Sequence, residues 1–357
     1  MADLVIDHAG PVREGEALDV EKLEEYLLGK LEDPLGPLVV EQFPSGFSNL
    51  TYLLTLGEQQ LVLRRAPFGN RVKSAHDMSR EYRVLSSLSA VYKPAPRPLL
   101  FCDDPAIIGD DFYVMERRHG VVLRGPHAPD LLSNDEQMVT RLCESFIDNL
   151  ATLHLLDYQA AGLGELGKPE GYVERQVTGW NNRYENARTD DHPEMEELGE
   201  WLIANQPPDW GSALIHNDYK YDNLLLNAQD LTQIVAVLDW EMATVGDPLM
   251  DLGSTLAYWV EPSDPVEQHS RAFGPTMLAG SLTREQLAAR YTEKTGFATD
   301  QLFFYFAYGL FKLAVIIQQI YARYVRGHTQ DPRFAHLNES VQLLAKRGQQ
   351  VIHNGAM

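Results

Sequence analysis

The chain carries only two cysteines, Cys102 and Cys143, in 357 residues. They form no C-x-x-C pair and no metal-ligand spacing, which argues against a disulfide framework and a cysteine zinc site. Both are expected as small buried hydrophobes in a reducing, cytoplasmic setting. Positive charge is scarce: 30 Lys and Arg face 51 Asp and Glu, a formal net charge of −21. Nucleic-acid binding needs a basic footprint and docking on anionic lipid needs a polybasic patch, so neither partner is expected. Long apolar runs are missing too. The longest, LFFYFAYGLFKLAVII (Leu302 to Ile317), is interrupted by Lys312 and falls short of the ~20 residues of a bilayer span. It is expected as a buried core helix. The start, MADLVIDHAGPVREGE, has neither a basic n-region nor an apolar h-region, so it does not read as a signal peptide. There is no internal repeat, no low-complexity segment, and no G-x-x-x-x-G-K-[ST] to mark a P-loop.

What is present is an apolar fraction of 44%, enough for a sizeable core and for two domains or two lobes. Residues 19 to 31 have helical spacing. Three strand-like runs follow, LVVEQF, NLTYLLTL and QQLVLRR. The first two are joined by PSGFS and the last two by the tight turn GE. Ser74 to Leu88 is expected as a helix, ended by Pro94, Pro96 and Pro98, and FYVME (112 to 116) as a strand. Beyond about residue 118 the pattern turns helical: Asn134 to Tyr158, Glu194 to Ala204, and most of the chain after Leu249. Residues 162 to 188 mix Gly and aromatics and show no clear period. The expected architecture is α+β and two-lobed. A small antiparallel-sheet lobe (1–117) precedes a larger, mainly helical lobe (118–357).

The densest polar cluster is LIHNDYKYDNLLLN, Leu214 to Asn227. The Leu224–Leu226 and Ile234–Leu238 runs flank the polar turn NAQDLTQ and read as a hairpin. Its open end then sets Asn223 beside Asp239, with Asp218 in the loop just before. Hard oxygen donors of this kind suit Mg²⁺, and a further carboxylate can orient a hydroxyl and accept its proton. His216-Asn217-Asp218 and Asn223 match the H-x-D-x-x-x-x-N loop of kinases, and Asp239-Trp240-Glu241 stands where protein kinases carry D-F-G. The plainer alternative is a polar turn with capping Asp and Asn residues. On the sheet side, backbone N–H groups of Gly46, Phe47, Ser48 and Asn49 are candidates to face phosphate oxygens. In the helix, Met78, Glu81, Leu85 and Leu88 share one face, so Glu81 sits on an apolar stripe and needs a partner. Arg64, at the end of the third strand, is that candidate, and its guanidinium fork also suits phosphate.

With the later Gly246-Asp247-Pro248-Leu249-Met250-Asp251-Leu252, the chain resembles the aminoglycoside phosphotransferase family of kinase-like enzymes, which includes choline and homoserine kinases. The resemblance covers roughly residues 38 to 260. It implies a protein-kinase-like fold, with ATP and Mg²⁺ as cofactors and a small-molecule hydroxyl as acceptor. It further implies Asp218 as catalytic base and Asn223 and Asp239 as Mg²⁺ ligands. His216 would support the loop. Asp251 would either brace the loop or serve only as a carboxylate at a helix start. Lys220 departs from many members: it either touches the transferred phosphate, as in protein kinases, or is a solvated loop residue. Arg64 stands where the fold places a Lys. Backbone groups around Glu116 to Arg118 would hold the adenine.

Three acceptors compete. An aminoglycoside polycation suits the charge of −21. Choline suits the H-N-D form, with Trp180, Trp240, Tyr258 and Trp259 as candidates for an aromatic cage. A hydroxyacyl-CoA-like compound suits the segment GKPEGYVERQVTGWNNRYENAR and the REYRVL helix, which resemble the kinase-like domain fused to some acyl-CoA dehydrogenases. There Arg175, Arg183 and Arg188 outnumber Glu174 and Glu185. A rival of another class is a nucleotide-binding pseudokinase without turnover. His154 is expected as a satisfied core histidine.

Overall fold

The computed structural model of the protein describes residues 8–31, 36–44, 49–68, 77–124, 132, 135–270 and 272–357. They group into two compact units: Met1–Val122 with Asn223–Met242, and Leu123–Asp222 with Ala243–Met357.

In the first unit, helix α1 (Val20–Leu28) is capped by the Asp19 side chain, which accepts from Lys22 N; such a cap satisfies one of the donors a helix start leaves unpaired. Strands β1 (Leu38–Gln42), β2 (Leu50–Leu56) and β3 (Gln59–Arg65) follow. Next come helix α2 (Met78–Leu88), strand β4 (Pro98–Cys102), the short helix α3 (Pro105–Ile108) and strand β5 (Phe112–Glu116). The strands form one sheet in the order β1-β2-β3-β5-β4, antiparallel throughout. Alternation builds its core: Tyr52, Leu54 and Leu56 of β2 meet Leu61 and Leu63 of β3 and Leu23 and Leu27 of α1. The β2–β3 turn is two residues long, and Gly57 takes φ 60° there, a conformation glycine adopts without strain. Helix α2 begins at Met78, later than its apolar spacing suggests, because Asp77 caps it by accepting from Arg80 N at 2.9 Å. Cys102 and Cys143 are both free and buried.

The second unit contains α4 (Glu136–His154), α5 (Tyr172–Ala187) and α6 (Pro193–Ala204). Strand β6 (Ala213–Ile215) pairs with β9 (Thr244–Gly246). The hairpin β7 (Leu224–Leu226)–β8 (Ile234–Val237) falls between them in sequence and belongs to the first unit. Division of the chain at residue 117 assigned that hairpin to the second lobe. Its bonds explain the difference: Val121 and Leu226 exchange N–H···O bonds at 2.8 and 2.9 Å, and Val237 N donates to Pro94 O at 2.8 Å. After β9 come α7 (Pro248–Ala257), the short α8 (Val266–His269), α9 (Arg284–Thr295), α10 (Leu302–Val325) and α11 (Leu337–Asn354). Helix α10 packs on α7 and α11. The contact with α7 is close because Gly253 and Gly309 meet there; a Cβ on either would collide with the other helix's backbone. At 24 residues, α10 outruns its uninterrupted apolar stretch and is long and apolar enough to cross a membrane, yet most of it is buried inside the second unit.

Candidate active site

The loop that follows β6 is fixed by one buried carboxylate. Asp251, in the first turn of α7, has no exposed surface. Its Oδ2 accepts from His216 N at 2.7 Å and its Oδ1 from Asn217 N at 2.8 Å. The same Oδ2 lies 3.1 Å from Nε2 of His154, whose Nδ1 is 2.6 Å from the Tyr291 hydroxyl. Burial alone would raise the Asp251 pKa, but the hydrogen bonds from His154 and His216 N and the electrostatic pull of the two imidazoles together outweigh it and hold the carboxyl below its ordinary value. Asp251 is therefore a brace for the loop, and His154 is a satisfied core histidine. Asn217 adopts φ 66°, a conformation that Asn tolerates better than most residues, and its carbonyl accepts from Lys312 Nζ at 2.7 Å. His216 supports the next residue: its Nδ1 accepts from Asp218 N at 3.2 Å.

Asp218 is held from both sides. Lys220 Nζ donates to both carboxylate oxygens at 2.7 Å, and the Tyr258 hydroxyl donates to Oδ1 at 2.7 Å. Burial pushes the Asp218 pKa up; the Lys220 charge and these bonds outweigh it, so the carboxyl lies below its ordinary value and is ionised at neutral pH. Lys220 is itself positioned over the Tyr258 ring, 4.8 Å from its centroid, and 5.5 Å from that of Phe273. It is not a solvated loop lysine. Asp222 differs: burial raises its pKa.

The first unit carries a separate network. Arg64 Nε lies 3.2 Å from Glu81 Oε2, and Arg64 Nη2 donates to Asp239 Oδ1 at 2.9 Å. Glu81 Oε1 accepts from Trp240 N at 3.2 Å. The expected Arg64–Glu81 pair is thus present and extends to Asp239, which takes φ 68°. Burial would lower the Arg64 pKa, but Glu81, Tyr113, Asp239 and Glu241 together hold it well above the ordinary value. Asn223 O accepts from Leu238 N at 2.8 Å, so the open end of the hairpin brings Asn223 beside Leu238, one residue from Asp239. Sequence reasoning gave Glu241 no role. Its Oε2 accepts from Asn49 Nδ2 at 2.6 Å and its backbone O from Arg80 Nη1 at 3.0 Å. Its place two residues after Asp239 was the available signal.

Gly46, Phe47 and Ser48 lie outside the described residues; Asn49 is buried. Glu116 and Arg118 bind each other, with Arg118 Nε donating to Glu116 Oε1 at 2.7 Å, and Glu116 N donates to Arg97 O at 2.9 Å. Of the four aromatics expected as cage candidates, Trp240 belongs to the first unit and Trp180, Tyr258 and Trp259 to the second. Trp240 is core of the first unit, with Nε1 donating to Val237 O. Trp259 is core of the second unit, with Nε1 donating to Leu282 O. Tyr258 serves as hydrogen-bond donor to Asp218, a role its sequence position did not signal.

The donor set suits Mg²⁺ better than a transition metal. Asn223 and Asp239 offer hard oxygens, and among the described residues no group of three or more His, Cys, Asp or Glu is arranged to hold a metal ion. Mg²⁺ bound through one or two protein oxygens completes its shell with water and substrate phosphates.

Comparisons with known proteins bear on the family and the fold. The phosphotransferase enzyme family model matches residues 39–288. Acyl-CoA dehydrogenase family member 11 of Gallus gallus is 36% identical over 94% of this chain and 44% of its own length. Family member 10 of Mus musculus is 35% identical over 96% of this chain and 32% of its own length. The chain thus spans less than half of the curated relatives it matches. A solved structure of a candidate aminoglycoside phosphotransferase from Ralstonia eutropha JMP134 superposes with TM-score 0.81 at 30% identity, covering 95% of this chain and 99% of that one. An aminoglycoside phosphotransferase solved with AMP-PNP and hygromycin B shares the fold at TM-score 0.58 and 17% identity, covering 92% of this chain and 98% of its own.

Proposed function

We propose that this chain, which belongs to the phosphotransferase enzyme family, is an ATP- and Mg²⁺-dependent kinase for a small-molecule hydroxyl, with a hydroxyacyl-CoA-like compound as the favoured acceptor. The observation that carries the reading is the Asp218 carboxylate, kept ionised by Lys220 and Tyr258 on a loop clamped by Asp251. An ionised, oriented carboxylate is what a hydroxyl needs to be aimed and deprotonated. The Asp218 carboxylate takes the hydroxyl proton as the acceptor oxygen bonds to the γ-phosphorus. The bond from phosphorus to the bridging oxygen breaks, and ADP leaves. Lys220, already 2.7 Å from Asp218, sets a positive charge by the transferred group. Arg64, steadied by Glu81, grips the phosphates that stay behind. Asn223 and Asp239 would hold Mg²⁺, which would supply neutralisation of phosphate charge. Because the transition state is loose, most of the acceleration is positioning and electrostatics. The similarity to the acyl-CoA dehydrogenase family members supports the acceptor class.

One observation favours the pseudokinase reading: Arg64 replaces the usual Lys and is paired with Asp239. The test is Mg²⁺-dependent ADP formation with hydroxyacyl-CoAs, choline and aminoglycosides as acceptors. One acceptor class is expected to raise turnover. Asp218→Asn is expected to lower it by about 10²–10⁴-fold, the usual share of a general base, while ATP binding is retained. Wild type and Asp218→Asn equally inert with every acceptor, both binding ATP, would establish the pseudokinase.

A further inference from the structure

Beside the Asn217–Lys220 loop, the second unit collects hydrogen-bond donors without matching acceptors. Lys312 is 3% exposed, and its ammonium has three donors. Among the described residues its one hydrogen bond runs to Asn217 O at 2.7 Å, and no carboxylate lies within ion-pair distance of it. Arg183, exposed on α5, likewise has no carboxylate partner among the described residues; its guanidinium stacks over the Trp180 ring, 4.6 Å from the centroid. Lys312 Nζ lies 5.9 Å from the same centroid. Trp180 is 6% exposed, and its Nε1–H lies toward the Tyr308 hydroxyl without a well-formed hydrogen bond. A buried ammonium with one acceptor for three donors and a buried N–H without a well-formed hydrogen bond are both costly, so the cluster gains from an oxyanion.

We propose that Lys312, Arg183 and the Trp180 Nε1–H form a subsite for an anionic oxygen group, carboxylate or phosphate, on the acceptor whose hydroxyl Asp218 addresses. The inference rests on the kinase reading and narrows it: the acceptor is an anion, and polycations such as aminoglycosides are repelled. Charge supports this locally. Burial pushes the Lys312 pKa down to about 8; Asp251 and Asp218 pull it up, while Lys220 and Arg183 press it lower. An arriving anion would restore full protonation. Two cations border one indole, and among the described residues neither is ion-paired to a carboxylate, in a chain of net charge −21.

The test is equilibrium binding of free coenzyme A and of a short hydroxycarboxylate to the full chain by calorimetry, beside Mg·ATP binding as a control. Coenzyme A carries phosphates and no carboxylate, so the two probes separate the two anions. The wild type is expected to bind one of them. Arg183→Ala, an exposed change that spares the core, and Lys312→Met are each expected to weaken it by about 10–100-fold, the range for one charge-assisted contact, with Mg·ATP affinity unchanged. Should Lys312→Met fail to fold, Arg183→Ala alone decides. Binding that responds to these variants without any phosphoryl transfer would sink the kinase reading and keep the subsite. Turnover that prefers choline or an aminoglycoside, or anion binding indifferent to Arg183→Ala, would overturn the subsite.

Discussion

Asp251→Ala should open the catalytic loop without touching the reacting atoms. The wild-type carboxylate accepts from two buried backbone N–H groups, at 2.7 and 2.8 Å, and faces His154 at 3.1 Å. Each N–H left unsatisfied costs about 1–3 kcal/mol, so the two together give about 2–6 kcal/mol. We therefore expect about 4 kcal/mol lost, a large share of the ~5–15 kcal/mol that holds a typical domain. The loss should be concentrated in the loop, so the direct assay is hydrogen exchange of the peptide spanning Leu214 to Asn227, with a melting curve as the global measure. Asp251→Asn, which keeps one acceptor oxygen, should show about half the effect. The pH dependence has a definite sign. The folded Asp251 value is depressed, so its contribution is fully present above the unfolded carboxyl value of about 3.9 and disappears as pH falls through the folded value. The variant should lack that acid-side loss. Unchanged exchange in Leu214–Asn227, with a melting point shifted by less than about 1 kcal/mol equivalent, would refute the brace.

Three further outcomes follow from the same contacts. Lys220→Met removes the charge that keeps the Asp218 pKa low; burial then prevails, so the acid limb of kcat/KM should move to higher pH, and a limb that stays put would show Lys220 to be electrostatically idle. Arg64→Met leaves Glu81, 2% exposed, without its cation, and should cost about 3–5 kcal/mol in a denaturation curve, with Arg64→Lys recovering most of it. Because burial already raises the Glu81 pKa, the Arg64→Met deficit should grow as pH rises and shrink in acid. Gly120→Ala would place a Cβ 2.7 Å from Leu226 O and 3.1 Å from Leu225 Cβ; overpacking of this kind costs about 1–3 kcal/mol, and an unshifted midpoint would count against that close approach.

The sheet was legible because its signals are local. Alternation and the two-residue Gly57 turn place β2 and β3 at Leu50–Leu56 and Gln59–Arg65. An acidic residue on the apolar face of α2 called for a partner, and Arg64 is there. Helix α5 was not legible, although its buried residues Tyr172, Val173, Val177, Trp180, Tyr184 and Ala187 do follow a helical face. Its period is carried largely by aromatics and broken up by Gly179, Asn181 and Asn182, which lower helix propensity and blur the pattern.

The same distinction governs the site. The spacing of Asp218, Asn223 and Asp239 is short-range and could be read from a hairpin and a loop. Lys220, which lowers the Asp218 pKa most, is a near neighbour in sequence, but Tyr258 reaches Asp218 from 40 residues on, and Lys312 reaches the adjoining Asn217 carbonyl from 95. No periodicity encodes such a meeting. Lys312 looked like a mere interruption of an apolar run, yet a lysine is buried in a core helix only when something offsets the loss of hydration. One carbonyl does not neutralise an ammonium. Its burial beside Arg183 and an underused indole N–H therefore argues for an anionic visitor, and the global charge of −21, which on its own suggested a cationic acceptor, misleads about the few ångströms that matter.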